Sequence, residues 1–291
     1  MLPARVSGAL GAIGHADDLN DEYKGEHDVV SLLNQVQRGI LPAPRRTLLY
    51  GTHGIGKSTF GAMAEKPIFI QTEDGLANID CNRFPLAGRY GDVVAALGEL
   101  YTETHEYRTI VVDSLDWLER LIWADVCKSR GVESIEDIGY GKGYVFALTN
   151  WRDVLAGLDA LRNDRGMSVA LIAHAQIERF ANPECDTYDR YSPRLHKQAS
   201  ALVQEWADEV LFATYSVHTK ATDDGFGRKR VQGIGTGERI IRTTERPAHV
   251  AKNRLGLPDE IPLDHRVYAA FVRGENPLVE AGGVNSKEEE N

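Results

Sequence analysis

The sequence predicts an α/β fold: a mainly parallel sheet with helices on both faces, joined by antiparallel strands late in the chain. Three observations predict it. The runs TLLY (47–50), PIFIQT (67–72), TIVVD (109–113) and SVALIA (168–173) are apolar almost throughout, as strands covered on both faces are. Helix-periodic segments separate them, the pattern of a parallel sheet wrapped by helices. Later, EVLFATYSVHT (209–219) and GERIIRTTER (237–246) alternate more and carry glycines and charges, so they read as further strands, one of them in a hairpin.

Taken in order, residues 1–44 form an N-terminal extension. Its stretch Asp17 to Asp28 is acidic, Val29 to Ile40 has the spacing of a short amphipathic helix, and Pro42 and Pro44 then punctuate the chain. Residues 45–275 form the main domain. After TLLY comes a glycine-rich loop and a helix from Ser58 to Ala64, weakened by Gly61 and stopped by Pro67. Gly91 to Glu106 places Val93, Val94, Leu97, Leu100 and Tyr101 on one helical face. Further helices are expected from Leu115 to Lys128 and from Tyr144 to Arg162, the latter with Leu148, Trp151, Leu155 and Leu158 at helical spacing. Residues 276–291, ending in Lys287-Glu288-Glu289-Glu290, are expected to be a flexible acidic tail.

Composition narrows the function classes. The chain has 291 residues, 42% of them hydrophobic, enough for a large core without disulfides. Its three cysteines are far apart in sequence and no Cys/His cluster has zinc-site spacing. No apolar run approaches the ~20 residues of a membrane span, and the first residues lack an apolar signal core. A soluble, cytoplasmic protein is therefore expected. The formal net charge of −10 argues against general stickiness to nucleic acid. It leaves room for one local basic surface, because phosphate contacts depend on local Lys and Arg.

The strongest motif is Gly51-Thr52-His53-Gly54-Ile55-Gly56-Lys57-Ser58, a full match to G-x-x-x-x-G-K-[ST] between a strand and a helix. Glycines let backbone N–H groups wrap phosphates without Cβ clashes, and the helix N-terminus adds positive charge. Lys57 is expected at the β- and γ-phosphates of ATP, and Ser58 on Mg²⁺. Thr59 either contacts the α-phosphate or caps the helix. Asp113 ends an apolar strand, at the edge where α/β sheets bind ligands, and is expected to hold Mg²⁺ with Ser58. Asp116 is the weaker alternative, and an ordinary helix cap is the bland one. Glu73 follows the second strand to the same edge and is the expected base for the attacking water, with Asp74 as its competitor. His174 and Gln176 follow the fourth strand and are candidates for sensing the γ-phosphate.

Together these residues resemble the RecA/RadA/DnaB group of P-loop ATPases. FIQTEDGL (69–76) is similar to the segment carrying that group's catalytic glutamate, and TIVVDSLDWLE (109–119) to its acidic metal-binding strand and following helix. Ala251-Lys252-Asn253-Arg254-Leu255-Gly256 resembles a Lys-Asn-Arg motif of that group. The resemblance implies that Lys252 and Arg254 reach the nucleotide of a neighbouring subunit in a homo-oligomer. A guanidinium there stabilises charge that shifts during hydrolysis, although a solvated basic edge also accounts for the pair. Closer still is a resemblance to phage-encoded RecA-like, AAA-type nucleotide-binding proteins, among them recombination and single-strand-annealing proteins. It is carried by Tyr140-Gly141-Lys142-Gly143-Tyr144, His174 and the segment 193–208, and covers roughly 45–275. Two features depart from RecA. This chain lacks its longer terminal domains, and has His174-Ala175-Gln176 where RecA has an Asn-Gln pair.

The resemblance implies single-stranded DNA as a partner, bound by a mobile loop after the fourth strand. There Arg190, Arg194, His196 and Lys197 lie with Tyr188 and Tyr191, a mix suited to phosphates and stacked bases. Arg228-Lys229-Arg230 and Lys142 with its tyrosines are weaker candidates, and acidic neighbours such as Asp186 and Asp189 dilute the charge. The expected function is a DNA-stimulated ATPase of phage-type recombination or annealing. A ring-forming helicase motor, or a nucleotide-switched protein-binding module without DNA activity, are the alternatives.

Overall fold

A computed structural model describes residues 32–39, 41–223 and 229–278, and only the backbone within 218–236. The chain divides into two units, 1–42 and 43–291. In the first, the described part holds one 3-10 turn, Leu32–Gln35, inside the segment expected to be a longer helix. The acidic stretch 17–28 and the tail 287–290 lie outside the described residues.

The second unit runs β1 (Arg46–Gly51), α1 (Lys57–Ala62), β2 (Pro67–Gln71), β3 (Asn82–Arg83), α2 (Tyr90–Thr102), β4 (Thr109–Asp113), α3 (Leu115–Arg130), α4 (Lys142–Arg165), β5 (Ser168–Phe180), β6 (Tyr188–Pro193), α5 (Lys197–Trp206), β7 (Glu209–Asp223), β8 (Lys229–Arg242), β9 (Lys252–Asn253), β10 (Glu260–Pro262) and α6 (His265–Val272). The sheet order is β10-β8-β7-β1-β5-β4-β2-β3. From β7 to β3 every neighbouring pair is parallel, and β8, β9 and β10 add antiparallel. This is a P-loop NTPase-type fold with a mainly parallel sheet and antiparallel late strands, as expected.

The strand pleat explains the core. Successive side chains point to opposite faces. Leu48 and Tyr50 of β1 join one cluster with Val112, Leu171 and Phe212, covered by α2, α3, α4 and α5 through residues such as Leu97, Leu118, Trp151 and Val203. Leu49 faces the other way, into a cluster with Phe60, Leu211, Ile241 and Tyr268. Each large side chain so buried contributes about 1.5–3 kcal/mol. Gly61, which weakens α1 as a helix, lets that helix sit close on the sheet: a Cβ there would stand 3.0 Å from Val111 Cγ1.

Two segments differ from expectation. β5 does not stop at Ala173. Beyond His174, level with the end of β1, it leaves the parallel sheet and pairs antiparallel with β6, Ala175 opposite Pro193 and Phe180 opposite Tyr188. The region implied to be a mobile loop is thus a β-hairpin, because the backbone N–H and C=O groups of its two legs satisfy each other. β7 and β8 pair antiparallel as the hairpin expected of the late strands, but β8 spans Lys229–Arg242 where the sequence reading placed 237–246. Among the described residues no helix is long and apolar enough to cross a membrane.

Candidate functional site

The loop after β1 is built by local chemistry. Gly56 has φ +112°, a left-handed conformation that a Cβ disfavours, at the N-terminus of α1. Lys57 is 6% exposed and folds back over the loop, donating to the carbonyls of Gly51 at 3.1 Å and Thr52 at 2.9 Å. Burial lowers its pKa, opposed by the charges of Asp113, Asp116 and Glu73.

β5 lies between β1 and β4, yet the two strands' ends meet over the loop. Ser58 donates its hydroxyl to Asp113 Oδ2 at 2.6 Å. Burial pushes the Asp113 carboxyl up, and the Ser58 hydrogen bond opposes this. The chain after β2 is tied to the same corner. Thr72 Oγ1 donates to the Ser114 carbonyl at 2.7 Å and accepts from the Ser114 N–H at 2.9 Å. Ser114 Oγ donates to Glu73 Oε2 at 2.8 Å. Gly54, Gly56, Lys57, Ser58, Thr59, Glu73, Asp113, His174 and Arg239 are among the residues lining one cavity of about 330 Å³.

Asp116, in the first turn of α3, is the hub behind that cavity. Its carboxylate is buried and accepts from the His174 backbone N–H at 3.1 Å, from His174 Nδ1 at 3.1 Å, and from Arg194 Nη2 at 2.5 Å. Burial would raise its pKa, but these donors hold it well below the usual carboxylate range. His174 Nδ1 also lies 3.9 Å from Glu73 Oε2. Glu73, Asp116 and His174 offer a possible metal-ligand set, but the Arg194 guanidinium already supplies positive charge on Asp116. One turn on, Glu119 accepts the His196 N–H on both oxygens, at 3.1 and 2.9 Å. Burial pushes Glu119 up to about 7, against that hydrogen bond. Two carboxylates of α3 therefore grip both roots of the β5–β6 hairpin.

The structure brings Lys57, Ser58, Glu73, Asp113 and His174 together. It does not bring Lys252 or Arg254 to the cavity. Lys252 Nζ donates to the carbonyls of Gln204 (2.9 Å), Glu205 (2.9 Å) and Ala207 (2.6 Å), closing the C-terminal end of α5. Such groups favour a cation, so Lys252 has a structural task where the resemblance implied a phosphate contact. Arg254 is exposed, 3.7 Å from Asp208. Arg239 was missed as a cavity residue, and the tie of Asp116 to His174 and Arg194 behind the cavity was not foreseen. The spacing Asp113-x-x-Asp116 was a usable signal for Asp116. The two arginines arrive through long-range pairing and leave no local signal.

The expected DNA-facing residues are largely engaged within the chain. Tyr191 stacks on Phe212 at 5.0 Å, and His196 on Tyr144 at 4.0 Å. Arg190 lies over Phe180 and pairs with Glu178 at 3.0 Å. The side chains of 228–230 lie outside the described residues.

A family model described as AAA domain matches residues 43–255. The chain belongs to the AAA domain family. That family is P-loop NTPase-like, and the match spans β1 through β9, the loop and all the acids. The chain is also 24% identical over 208 residues to the SPbeta prophage-derived uncharacterized protein YorG of Bacillus subtilis (strain 168). That match covers 65% of this chain and 60% of the length of the relative.

Proposed function

We propose that this AAA domain protein binds ATP with Mg²⁺ in the cavity of the Gly51–Ser58 loop and hydrolyses it. The observation that carries the reading is the 2.6 Å contact of Ser58 with Asp113 beside Glu73, all facing the loop. Ser58 and Asp113 are hard oxygen donors, a set that suits Mg²⁺. Held by Ser58 and Asp113, such an ion would supply Lewis-acid stabilisation of the phosphoryl charge. Thr52, His53, Gly54, Ile55 and Gly56 offer their backbone, and Lys57 turns from its carbonyls to the phosphates. Thr59 stands at the α-phosphate end. Glu73, oriented by Ser114, accepts the proton of the attacking water. His174, fixed through Nδ1 on Asp116, senses the γ-phosphate. Arg254 completes the site of a neighbouring copy, which makes the working form a homo-oligomer.

Single-stranded DNA is the proposed partner, with the β5–β6 hairpin as its contact and RecA-like recombination or annealing as the setting. Support comes from the hairpin's roots: the same helix that follows Asp113 grips them through Asp116 and Glu119. Nucleotide-dependent movement of α3 would thereby reach the hairpin. Lys197 at the start of α5 and exposed Ile177 on β5 are surfaces it offers. The prophage origin of the similar YorG protein fits such a setting, and a host cytoplasm with it. The test is phosphate release from ATP with and without single-stranded DNA, together with the mass of the assembled species. No ATP turnover by the wild-type chain refutes the ATPase. Turnover indifferent to DNA, without DNA binding, refutes the partner.

A further inference from the structure

The acids and the loop leave one charged cavity residue without a role. Arg239 lies on β8, and its backbone is pinned by the Leu263 N–H, which donates to the Arg239 carbonyl at 3.0 Å. Its side chain reaches over the phosphate loop: a Cβ on Gly56 would stand 3.2 Å from Arg239 Nη1. It lines the same cavity as Lys57, Ser58, Glu73 and Asp113. Among the described residues no carboxylate forms an ion pair with it, whereas Arg194, the other arginine near the site, is held by Asp116.

The sheet order gives this guanidinium a definite end of the ligand. β1 carries the loop. The acids reach it from one side, across β5 from β4 and β2, and Arg239 reaches it from the other, across β7 from β8. Acids that hold metal and water define where the γ-phosphate lies. The α- and β-phosphates and the nucleoside then extend away from them, towards β8.

We propose that Arg239 is a nucleotide-binding residue acting within its own subunit, holding the α- and β-phosphates rather than the γ-phosphate. The proposal rests on the ATP reading above. A guanidinium suits this task because its planar donors match two phosphate oxygens at once. Contact with the α- and β-phosphates is available in ATP and ADP alike, and it changes less along the reaction than contact with the transferred γ-phosphoryl group. It therefore serves binding uniformly and leaves the chemical step alone.

The experiment measures affinity of the full chain for ADP and for a non-hydrolysable ATP analogue, and turnover at saturating ATP. Arg239→Ala and Arg239→Gln are expected to weaken both ligands by about 10- to 100-fold, with kcat preserved within about threefold. Arg239→Lys, which keeps the charge but not the fork, is expected to fall between. Arg239 is exposed, and unchanged thermal unfolding of the three variants checks that they fold. Wild-type affinity for ADP in Arg239→Ala and Arg239→Gln would overturn the proposal. So would a loss confined to the ATP analogue or to kcat, which would put the residue at the γ-phosphate. Wild-type chain that binds neither ligand would overturn the ATP reading as well.

Discussion

The two flanks of β1 solve different problems. On one side β5, β4 and β2 run parallel to it and end at the same edge, so His174, Asp113 and Glu73 converge above the loop without long excursions. On the other side the sheet continues through β7 to antiparallel β8, β9 and β10, and what arrives is cationic: Arg239 at the cavity, Lys252 on the end of α5, Arg254 exposed. The parallel flank gathers acids because its strands reach one edge together: β4 ends there at Asp113, the chain just after β2 brings Glu73, and β5 leaves the parallel sheet after His174. The antiparallel flank delivers mid-strand residues, whose height above the sheet depends on register. The roles proposed above divide the same way, metal and water on the first flank, anion binding and contact with another copy on the second.

Mutations test whether this division is real. Lys57→Ala, at the boundary, is expected to lower turnover by at least about 10³-fold, measured as phosphate release; near-normal turnover would remove the loop from the chemistry. Arg254→Ala is the variant that can break the comparison, since it lies on the cationic flank yet is proposed to act on hydrolysis. Its kcat is expected to fall by about 10³-fold and to recover in mixtures with Lys57→Ala subunits, each supplying what the other lacks. Without recovery, Arg254 has no role across an interface. Glu73→Gln sharpens the acidic side: a loss of about 10²–10³-fold in kcat, with ADP affinity intact.

The smallest effects concern stability, and the flanks are expected to respond to pH with opposite sign. Burial raises Glu119 from 4.5 to about 7. Its favourable contribution is therefore complete below 4.5 and lost as pH rises through about 7. Burial lowers His265, at the start of α6 against Phe60, from 6.5 to about 4. Its contribution is complete above 6.5 and lost as pH falls through about 4. Thermal unfolding across that range should show Glu119→Gln flattening the alkaline limb and His265→Phe the acid limb, each by a few degrees. The reverse assignment would show that these groups are not buried as described.

Legibility followed the same division. The reading of 109–113 coincides with β4, and those of 47–50 and 67–72 fall within a residue of β1 and β2 at each end. Strands buried on both faces announce themselves as apolar runs. The extension of β5 to Phe180 read as a polar strand end, because HAQIERF shows its pairing only when β6 is placed beside it. Lys252 read, by resemblance, as reaching a neighbouring subunit's nucleotide; nothing near it in sequence reveals that carbonyls of 204, 205 and 207 lie against its ammonium within the chain.

The sequence by itself determined the phosphate loop, the apolar strands and the strand-end positions of Glu73 and Asp113. Each of these follows from local rules: glycine freedom, pleat periodicity and the common edge of a parallel sheet. Only the tertiary structure decided that Asp116 grips His174 and Arg194, that the following segment is a hairpin, and that Arg239 enters the cavity. Those depend on which distant segments share a strand register or a buried charge, and a charge is tolerated in the interior only where the whole fold brings it a partner.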